Sequence, residues 1–550
     1  MKPKALLPGI CRETGMDVAL NQVRSLLFIV GWFMSLRLTH IAAASLAAVS
    51  MSSHASSFVL EEATVDSIHN AFKTGEITCA KLVEGYLSRI EAYDKQGPAL
   101  KAVLTINPKA LEQAREMDAA YSKDPSSVGP LHCIPVLLKD NFDTFDMPTS
   151  SGNVAMKNSQ PKDDAFAVER MRKAGALILG KTNLQEFARG GVSISSLGGQ
   201  TLNPYDLTRT PGGSSGGTGA ALAAGFAVLG TGSDTGQSIR SPASANSLVG
   251  VRPTRGLISR DGVIPNSFTQ DEIGPITRTV KDAAYMMDVM VGFDAADPIT
   301  ALGVGKAPAS YVESLSPDAL KGARIALFAD LLGSDERHAE VTRVMRETAK
   351  TMEKAGATIV ELSMPELKEM TKVLATDTLE ARDAFASYFQ TLPDDAPIRS
   401  FEQLVATKSA ESNIQATLEK ELAIEKGMES DDYKTRTLNR EKLRIALAAK
   451  MAELGVDAVL YPLQSVLVAP HGQPNQPERN GVLSNGTGFP AVTFPAGYSA
   501  PTKDAPLGVP IGAELLGLDY TEPQLLGYAY AFEQTAHVRK SPASTPALAK

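Results

Sequence analysis

The stretch from Gly212 to Arg240 constrains the fold more than any other part of this chain, because it is almost free of bulky side chains. Two of its serines, Ser214 and Ser238, mark separate sites that are each embedded in glycine. Glycine permits positive φ and close approach of backbones, so such loops can direct several N–H groups at one point. A serine in that setting is a candidate nucleophile with an oxyanion hole formed by its own loop.

Composition is that of an ordinary globular enzyme. Of the 550 residues, 43% are hydrophobic and 21% are charged, and the formal net charge is −8. An acidic balance of this kind disfavours nucleic acid as a partner. The three cysteines, Cys11, Cys79 and Cys133, provide neither a disulfide framework nor the paired spacing of a metal site. We therefore expect no metal ion, and we expect Cys79 and Cys133 to be buried and free.

The N-terminal segment differs from the rest of the chain. Residues 25–55 are apolar and rich in small side chains, basic residues precede them, and Ser-His-Ala at 53–55 has the small-x-small pattern of a signal-peptide cleavage site. Translation from Met34 would give a compact signal peptide with the same end. Because Arg37 interrupts the apolar run, we expect no stable membrane span, with an uncleaved anchoring leader as the alternative. The sequence predicts a leader over 1–55 and a periplasmic or secreted protein.

Hydrophobic periodicity predicts an α/β fold with one large sheet and helices on both faces. Helical spacing marks Leu82–Ile90, with Thr78 as its cap. Short apolar runs typical of buried strands alternate with helical segments, and they cover residues 103–106, 134–138, 176–179, 227–229, 324–329, 358–361, 456–460, 492–494 and 509–516.

We expect a single domain over 56–540 and a disordered Pro/Ser/Ala-rich tail at 541–550. Within the domain, residues 365–455 form a long polar helical stretch. Two interpretations stay open for this stretch: a solvated outer layer, or a cap over the active site that selects the substrate.

Two serine motifs compete for the role of nucleophile. Ser214 lies in Gly-Gly-Ser-Ser-Gly, which matches the G-x-S-x-G nucleophile elbow of α/β-hydrolases. That elbow needs an apolar strand directly before it, and residues 207–211 are a poor strand. It also needs a downstream histidine, for which only His471 is suited.

Ser238 has better surroundings, because a strand leads into its turn. Thr235, Gly236 and Gln237 precede it and can present successive backbone N–H groups to one oxyanion. Asp234 and Arg240 flank the turn, and we expect them to pair and stiffen the loop.

Activation of Ser238 requires a base. His132 could approach it in space. The alternative is a lysine at the end of a buried strand, because burial disfavours the charged form and lowers the pKa. Lys139 and Lys181 both fit that description, and local physics does not separate them.

The order of motifs resembles the amidase signature family. It runs from Gly-Pro-Leu-His-Cys-Ile-Pro-Val-Leu-Leu-Lys-Asp-Asn at 129–141, through Gly-Gly-Ser-Ser-Gly-Gly at 212–217, to Gly-Ser-Asp-Thr-Gly-Gln-Ser-Ile-Arg-Ser-Pro-Ala at 232–243. The resemblance spans about 60 to 535 and is strongest over 129–290. It implies the large mixed central sheet of that fold and a Ser–Ser–Lys triad.

The resemblance also implies roles for particular residues. Lys139 takes the position of the base, Ser214 that of a bridging serine held through a cis peptide, and Ser238 that of the nucleophile. The remaining site residues are Thr235, Gly236 and Gln237 in the oxyanion hole and substrate site, and Ser215, Asp234, Arg240 and Lys181 in support.

The chain departs from the family pattern at two positions. Gln237 stands where glycine is common, and a positive φ there would strain the backbone. Cys133 replaces a common glycine before the strand of Lys139, where we expect it to affect packing and not to act as a catalytic thiol.

The implied reaction is hydrolysis of a small-molecule carboxylic amide to an acid and ammonia or an amine, through an acyl-enzyme and without a cofactor. Ester or carbamate (urethane) hydrolysis on the same triad is the main alternative. Membership of a complex that transfers ammonia to a charged tRNA is disfavoured by the leader, and a non-catalytic binding protein by the intact triad. A homo-oligomer is compatible with the sequence.

Overall fold

The computed structural model describes residues 58–549, so the predicted leader lies outside the described residues. The strands are β1 (Val103–Ile106), β2 (Pro135–Lys139), β3 (Leu177–Thr182), β4 (Ile194–Ser195), β5 (Gly199–Gln200), β6 (Leu229–Asp234), β7 (Val249–Arg252), β8 (Glu272–Thr277), β9 (Arg324–Phe328), β10 (Thr358–Leu362), β11 (Ala458–Pro462), β12 (Ala491–Tyr498) and β13 (Pro510–Leu516).

The α-helices alternate with these strands over most of the described chain. They are α1 (Val65–Thr74), α2 (Cys79–Ile90), α3 (Ala110–Lys123), α4 (Phe166–Lys173), α5 (Gly216–Ala223), α6 (Arg240–Ala245), α7 (Val280–Met290), α8 (Ala339–Lys354), α9 (Leu367–Met370), α10 (Asp377–Phe389), α11 (Phe401–Ala406), α12 (Ser412–Leu422), α13 (Asp431–Leu454), α14 (Val482–Thr487) and α15 (Glu522–Ala536). Among residues 58–549, no helix combines the length and the apolar character that crossing a membrane requires.

Eleven strands form one mixed sheet, in the order β1-β3-β2-β6-β8-β7-β12-β13-β11-β9-β10. β2 pairs in parallel with β3 and β6, and β9 with β10 and β11, whereas the other neighbours are antiparallel. Every residue of β2, β3, β6, β8, β11 and β13 is buried. Strands buried throughout must be covered on both faces, which confirms the predicted α/β fold.

The small residues of the Gly212–Arg240 stretch are explained by packing. All residues of α5 are buried. A Cβ on Gly217 would lie 2.1 Å from the backbone oxygen of Asn183, closer than real contacts allow. The helix can therefore lie against the strand ends only because its side chains are so small.

Cys79 and Cys133 form a disulfide bond, so the expectation of two free cysteines was wrong. Their Cα atoms are 5.8 Å apart. Cys79 is the first residue of α2, and Cys133 lies two residues before β2. The sequence could not indicate this pairing, because 54 positions separate the two residues and only the fold makes them neighbours.

The C-terminal tail packs on the domain, whereas the sequence predicts disorder from Ser541. The guanidinium of Arg89 on α2 donates to the backbone oxygens of Thr545 and Pro546, at 2.8 and 2.9 Å. Thr545 is buried. The tail composition did not reveal this contact, because its partner is a buried arginine far away in the sequence.

Candidate active site

The parallel pairing of β2 and β6 brings two of the predicted motifs to one edge of the sheet. β2 ends at Lys139 and β6 ends at Asp234. Ser214 and Ser215 directly precede α5, and the peptide bond between Gly213 and Ser214 is cis, as the resemblance implies. The sheet therefore assembles the predicted site residues from separate parts of the chain.

Lys139 is fully buried and lies in contact with Ser214. Its Nζ donates to Ser214 Oγ at 2.7 Å, to Ser233 Oγ at 2.7 Å and to the Ser233 backbone oxygen at 3.2 Å. Burial lowers the pKa of Lys139 to about 7, against the opposing charges of Asp234 and Asp271. A lysine with this pKa has a substantial neutral fraction near neutral pH and can accept a proton.

The two candidate serines lie on adjacent backbone segments but differ in exposure. The backbone N–H of Ser215 donates to the backbone oxygen of Ser238 at 3.2 Å. Ser214 is 0% exposed, whereas Ser238 is 7% exposed. No strand precedes Ser214, unlike in a nucleophile elbow. A substrate can therefore approach Ser238 more readily than Ser214.

Polar side chains of neighbouring segments contact the turn before Ser238 and hold it in place. Thr235 Oγ1 donates to Asp271 Oδ1 at 2.6 Å. The backbone oxygen of Gly236 accepts from Arg240 Nη2 at 2.6 Å. Among residues 58–549, those with positive φ do not include Gly236 or Gln237, so the strain considered at Gln237 does not arise.

Asp234 and Arg240 pair as predicted, within a larger buried network. Arg240 Nε lies 3.0 Å from Asp234 Oδ2, and Arg252 Nη1 lies 2.9 Å from Asp234 Oδ1. Arg240 also reaches Glu514 on β13 at 2.7 Å. Burial by itself would raise the pKa of Asp234, but the two guanidinium groups hold it well below its usual range. The network ties the nucleophile loop to β7 and β13.

The structure separates Lys139 from Lys181, which the sequence alone could not do. Lys181 Nζ donates to the backbone oxygens of Phe142 and Pro148 and to Thr149 Oγ1, at 2.7 to 3.1 Å. Its carboxylate neighbour is Asp140, at 3.8 Å. Lys181 therefore supports the loop that follows β2 and does not reach the serines.

Neither histidine considered for the site contacts a candidate serine. His471 Nε2 lies 3.0 Å from the backbone oxygen of Leu207. The ring of His132 stacks on Tyr121, with centroids 5.6 Å apart. Among the hydrogen bonds of the described residues, none joins either ring to Ser214 or Ser238.

Sequence reasoning missed two residues that surround the lysine amine. Ser233 accepts from Lys139, and Asn141 Nδ2 donates to Ser233 Oγ at 3.0 Å. The signal was the alternation along β6, where Thr231 and Ser233 share a face. Thr231 Oγ1 accepts from the backbone N–H of Lys139 at 3.1 Å, so both hydroxyl side chains on that face contact the lysine.

Helices of the 365–455 stretch contact loops that border the site. Tyr388 Oη on α10 donates to Asp143 Oδ1 at 2.9 Å, and Glu421 on α12 lies 2.8 Å from Arg189 Nε. A cavity of about 390 Å³ lies between this stretch and the core and reaches Ser233. The 365–455 stretch therefore borders this cavity, and its role as a cap stays a prediction.

Comparison with known proteins agrees with this architecture. The family model described as Amidase matches residues 81–526. A probable amidase of Arabidopsis thaliana is 34% identical over 505 residues, covering 88% of this chain and 92% of the relative. A glutamyl-tRNA(Gln) amidotransferase subunit of Heliobacterium modesticaldum is 32% identical over 492 residues, covering 86% and 96% of the two chains.

Solved structures show the same relationship. The native peptide amidase from Stenotrophomonas maltophilia superposes with a TM-score of 0.78 at 35% identity, covering 88% of this chain and 98% of that one. The fold and these matches define an enzyme that hydrolyses carbon–nitrogen amide bonds. The chain belongs to the amidase signature family.

Proposed function

We propose that this chain hydrolyses small carboxylic amides through an acyl-enzyme on Ser238, with Lys139 as the base and Ser214 as the proton relay. The observation that carries the proposal is the 2.7 Å contact between Lys139 Nζ and Ser214 Oγ. Because burial lowers the pKa of this lysine to about 7, its amine can be neutral when it meets the serine. Ser238, on the adjacent backbone segment, is 7% exposed, whereas Ser214 is fully buried.

We propose the following mechanism for these residues. Neutral Lys139 accepts the proton of Ser214 as Ser214 accepts the proton of Ser238, and Ser238 Oγ attacks the amide carbonyl. Backbone N–H groups of the Thr235–Ser238 turn stabilise the tetrahedral oxyanion. The proton returns along the relay to the leaving nitrogen. Water then attacks the acyl-enzyme, and the acid is released.

We further propose that the protein is exported. The leader pattern over 1–55 supports this, and so does the disulfide bond between Cys79 and Cys133, because such bonds persist mainly in oxidising compartments. The names of relatives raise a second function, as one component of a glutamyl-tRNA(Gln) amidotransferase. Since that role belongs to the cytosol, export would disfavour it.

The first test is labelling of the purified protein with a fluorophosphonate, followed by peptide mass mapping and an assay of ammonia release from primary amides. We expect an adduct on Ser238 and its loss in Ser238→Ala. In Lys139→Ala, kcat/KM should fall by about 10²–10⁴-fold, the usual contribution of a general base. Ser314→Ala, which alters an exposed serine, is the matched control.

Three outcomes would contradict the proposal. An adduct on Ser214 would revive the nucleophile elbow, and unchanged rates in Lys139→Ala would exclude the lysine as base. Turnover of esters or carbamates without detectable hydrolysis of amides with the same acyl group would assign the triad to the alternative chemistry.

A further inference from the structure

A cavity of about 280 Å³ lies at the opposite end of β8 from the candidate active site. Arg278, which lines the cavity, directly follows the last residue of β8. The first residue of that strand, Glu272, pairs with Asp234 beside the turn of Ser238. The strand spans about 17 Å between these ends, at about 3.4 Å per residue. The cavity is therefore separate from the site that holds the nucleophile.

Arg278 is a buried cation without a counter-ion. It is 2% exposed, and its Nη atoms donate to the backbone oxygens of Leu222, Ala227 and Ala63. Its Nε makes no hydrogen bond, and none of the ion pairs among residues 58–549 includes it. Buried charges in proteins are normally paired, because removing an isolated charge from water is costly. An anion in the cavity would supply the missing partner.

Arg539 adds a second guanidinium with free donors. Its Nη1 contacts Glu62 Oε2, whereas its Nε and Nη2 make no hydrogen bond within the described residues. Nε and one Nη of a guanidinium present two parallel donors that match the two oxygens of a carboxylate. Glu62 does not use them, because its other oxygen, Oε1, accepts from Ser541 Oγ at 2.6 Å.

The ionisable side chains around the cavity leave an excess of positive charge when Glu533 is protonated. Those that line it are Arg278, Arg539, Glu62, Glu533 and His537. Burial by itself would raise the pKa of Glu62, but Arg539 and Arg278 hold it below its usual range, so Glu62 balances one guanidinium. Burial raises the pKa of Glu533 to about 7, the charge of Asp282 acts in the same direction, and Arg539 opposes both. Below that pH the second guanidinium is uncompensated.

The remaining walls of the cavity are apolar. They include Phe494 and Pro495 on β12, Phe532 on α15 and Val538. Apolar walls with a few convergent polar groups are typical of small-molecule sites. The size and the donors together fit a small acid with an aromatic or branched aliphatic body.

We propose that this cavity binds a small apolar carboxylate, with its charged group on Arg278 and Arg539 and its body against Phe494 and Phe532. Such a ligand pairs the buried charge of Arg278 and fills the donors that Arg539 leaves free. The site lies outside the proposed reaction, and the inference does not depend on that reaction.

The test is calorimetric titration of the purified protein at about pH 6 with three probes. Hydrocinnamate carries both a carboxylate and an aromatic ring, benzylacetone replaces the carboxylate by a neutral ketone, and acetate lacks the ring. We expect hydrocinnamate to bind at one site, and the other two probes to bind at least about tenfold more weakly. Protein labelled on Ser238 with a fluorophosphonate should bind hydrocinnamate equally well, because the active site is not involved.

Two variants connect this binding to the cavity. Arg539→Lys keeps a charge beside Glu62 but loses the parallel donors, and it should weaken hydrocinnamate binding by at least about tenfold. Arg343→Lys is the matched control, because Arg343 pairs with two glutamates on the exposed surface of α8. It should leave the affinity unchanged.

Glu533→Gln tests the charge balance, and it also serves if Arg539→Lys does not fold. In the wild-type protein, hydrocinnamate should bind about tenfold more weakly at about pH 8 than at about pH 6, because the acid is repelled once Glu533 ionises. Glu533→Gln keeps an acceptor for the backbone N–H of Val280 and removes the titrating charge, so its affinity should be nearly the same at both pH values.

Several results would overturn the inference. They are no binding of hydrocinnamate at about pH 6, equal affinity for hydrocinnamate and benzylacetone, and unchanged affinity in Arg539→Lys. Loss of binding in the labelled protein would place the acid in the active site instead. A pH dependence that persists in Glu533→Gln would overturn the role of Glu533 and assign the titration to His537.

Discussion

Lys139 sets the pH dependence of the proposed reaction, because only its neutral amine can accept the serine proton. Its pKa is lowered to about 7 by burial. As the pH falls below this value the lysine becomes charged, so kcat/KM should decrease about tenfold per pH unit, and above it kcat/KM should reach a plateau. A pH–rate profile measures this directly, and a profile that stays flat from about pH 5 to about pH 8 would contradict the assignment.

A substitution of Asp271 gives a more specific test of whether Lys139 is the group that titrates. Its negative charge raises the pKa of Lys139. Removing that charge in Asp271→Asn should lower the pKa of the lysine further, so the acidic limb of the profile should move to lower pH. Asp395→Asn, at an exposed position, is the control and should leave the limb in place. A shift to higher pH in Asp271→Asn would show that another group titrates.

The sequence identified candidate residues of the site, but it did not identify all the side chains that contact them. The glycine-rich loops and the resemblance predicted Ser214 and Ser238 as site residues. The buried strand ends indicated a lysine as the base, either Lys139 or Lys181. Ser233 escaped notice because the predicted strand ended at residue 229, so the alternation along β6 was not read, and because the contact with Lys139 depends on the pairing of β6 with β2. Gln237 was singled out for its backbone, yet its unpartnered side chain is what the structure adds.

At the level of elements, the disulfide bond joins the start of α2 to the segment that leads into β2. It closes a loop whose ends are 54 positions apart. In the chain-entropy model, a loop of this length contributes about 4 kcal/mol to the free energy of unfolding. We expect the double variant Cys79→Ser/Cys133→Ser to lose about 2–4 kcal/mol in urea unfolding, while its nucleophile is still labelled by a fluorophosphonate.

The reductant provides the control for that measurement. Dithiothreitol should destabilise the wild-type protein to the level of the double variant and should leave the double variant unchanged. Equal stability of the wild-type protein with and without reductant would contradict a stabilising bond.

Strand prediction failed where glycine and proline replace the apolar run. β6 carries Gly-Thr-Gly-Ser-Asp after its first leucine, and the prediction at 227–229 therefore stopped where the strand begins. β8 reads Glu-Ile-Gly-Pro-Ile-Thr, which has the appearance of a turn. Both lie in the middle of the sheet, where neighbouring strands hold backbone that local propensity does not favour.

Over the whole molecule, the buried strands allowed the α/β class to be predicted from the sequence. The order of the strands in the sheet could not be predicted in this way. Short apolar runs reveal strands buried on both faces. The order of the strands depends on pairings between distant segments, such as β7 with β12, which one sequence does not display. The candidate site is assembled by that order, since the β2–β6 pairing brings Lys139 to the serine loops.

Export is a prediction about the whole chain, because it depends on two separate features. The leader must direct the protein out of the cytosol, and the disulfide bond must form in the compartment that the protein reaches. Expression of the full chain in a bacterial host, followed by fractionation and mass spectrometry, should give a periplasmic or secreted protein that begins after Ala55. Because both residues are buried in the folded chain, the thiols are probed in denaturant, where Cys79 and Cys133 of this protein should resist alkylation until they are reduced. A control chain without residues 1–55 should remain in the cytosol, where disulfide bonds are rare, and both thiols should react.

Two results would change this conclusion in different ways. An uncleaved chain in the membrane fraction would show that the leader anchors the protein, with the domain still on the oxidising side if its thiols are protected. A full-length cytosolic protein with reactive thiols would overturn export. It would also remove the main argument against the transamidation role, because the domain would then share the compartment of charged tRNA.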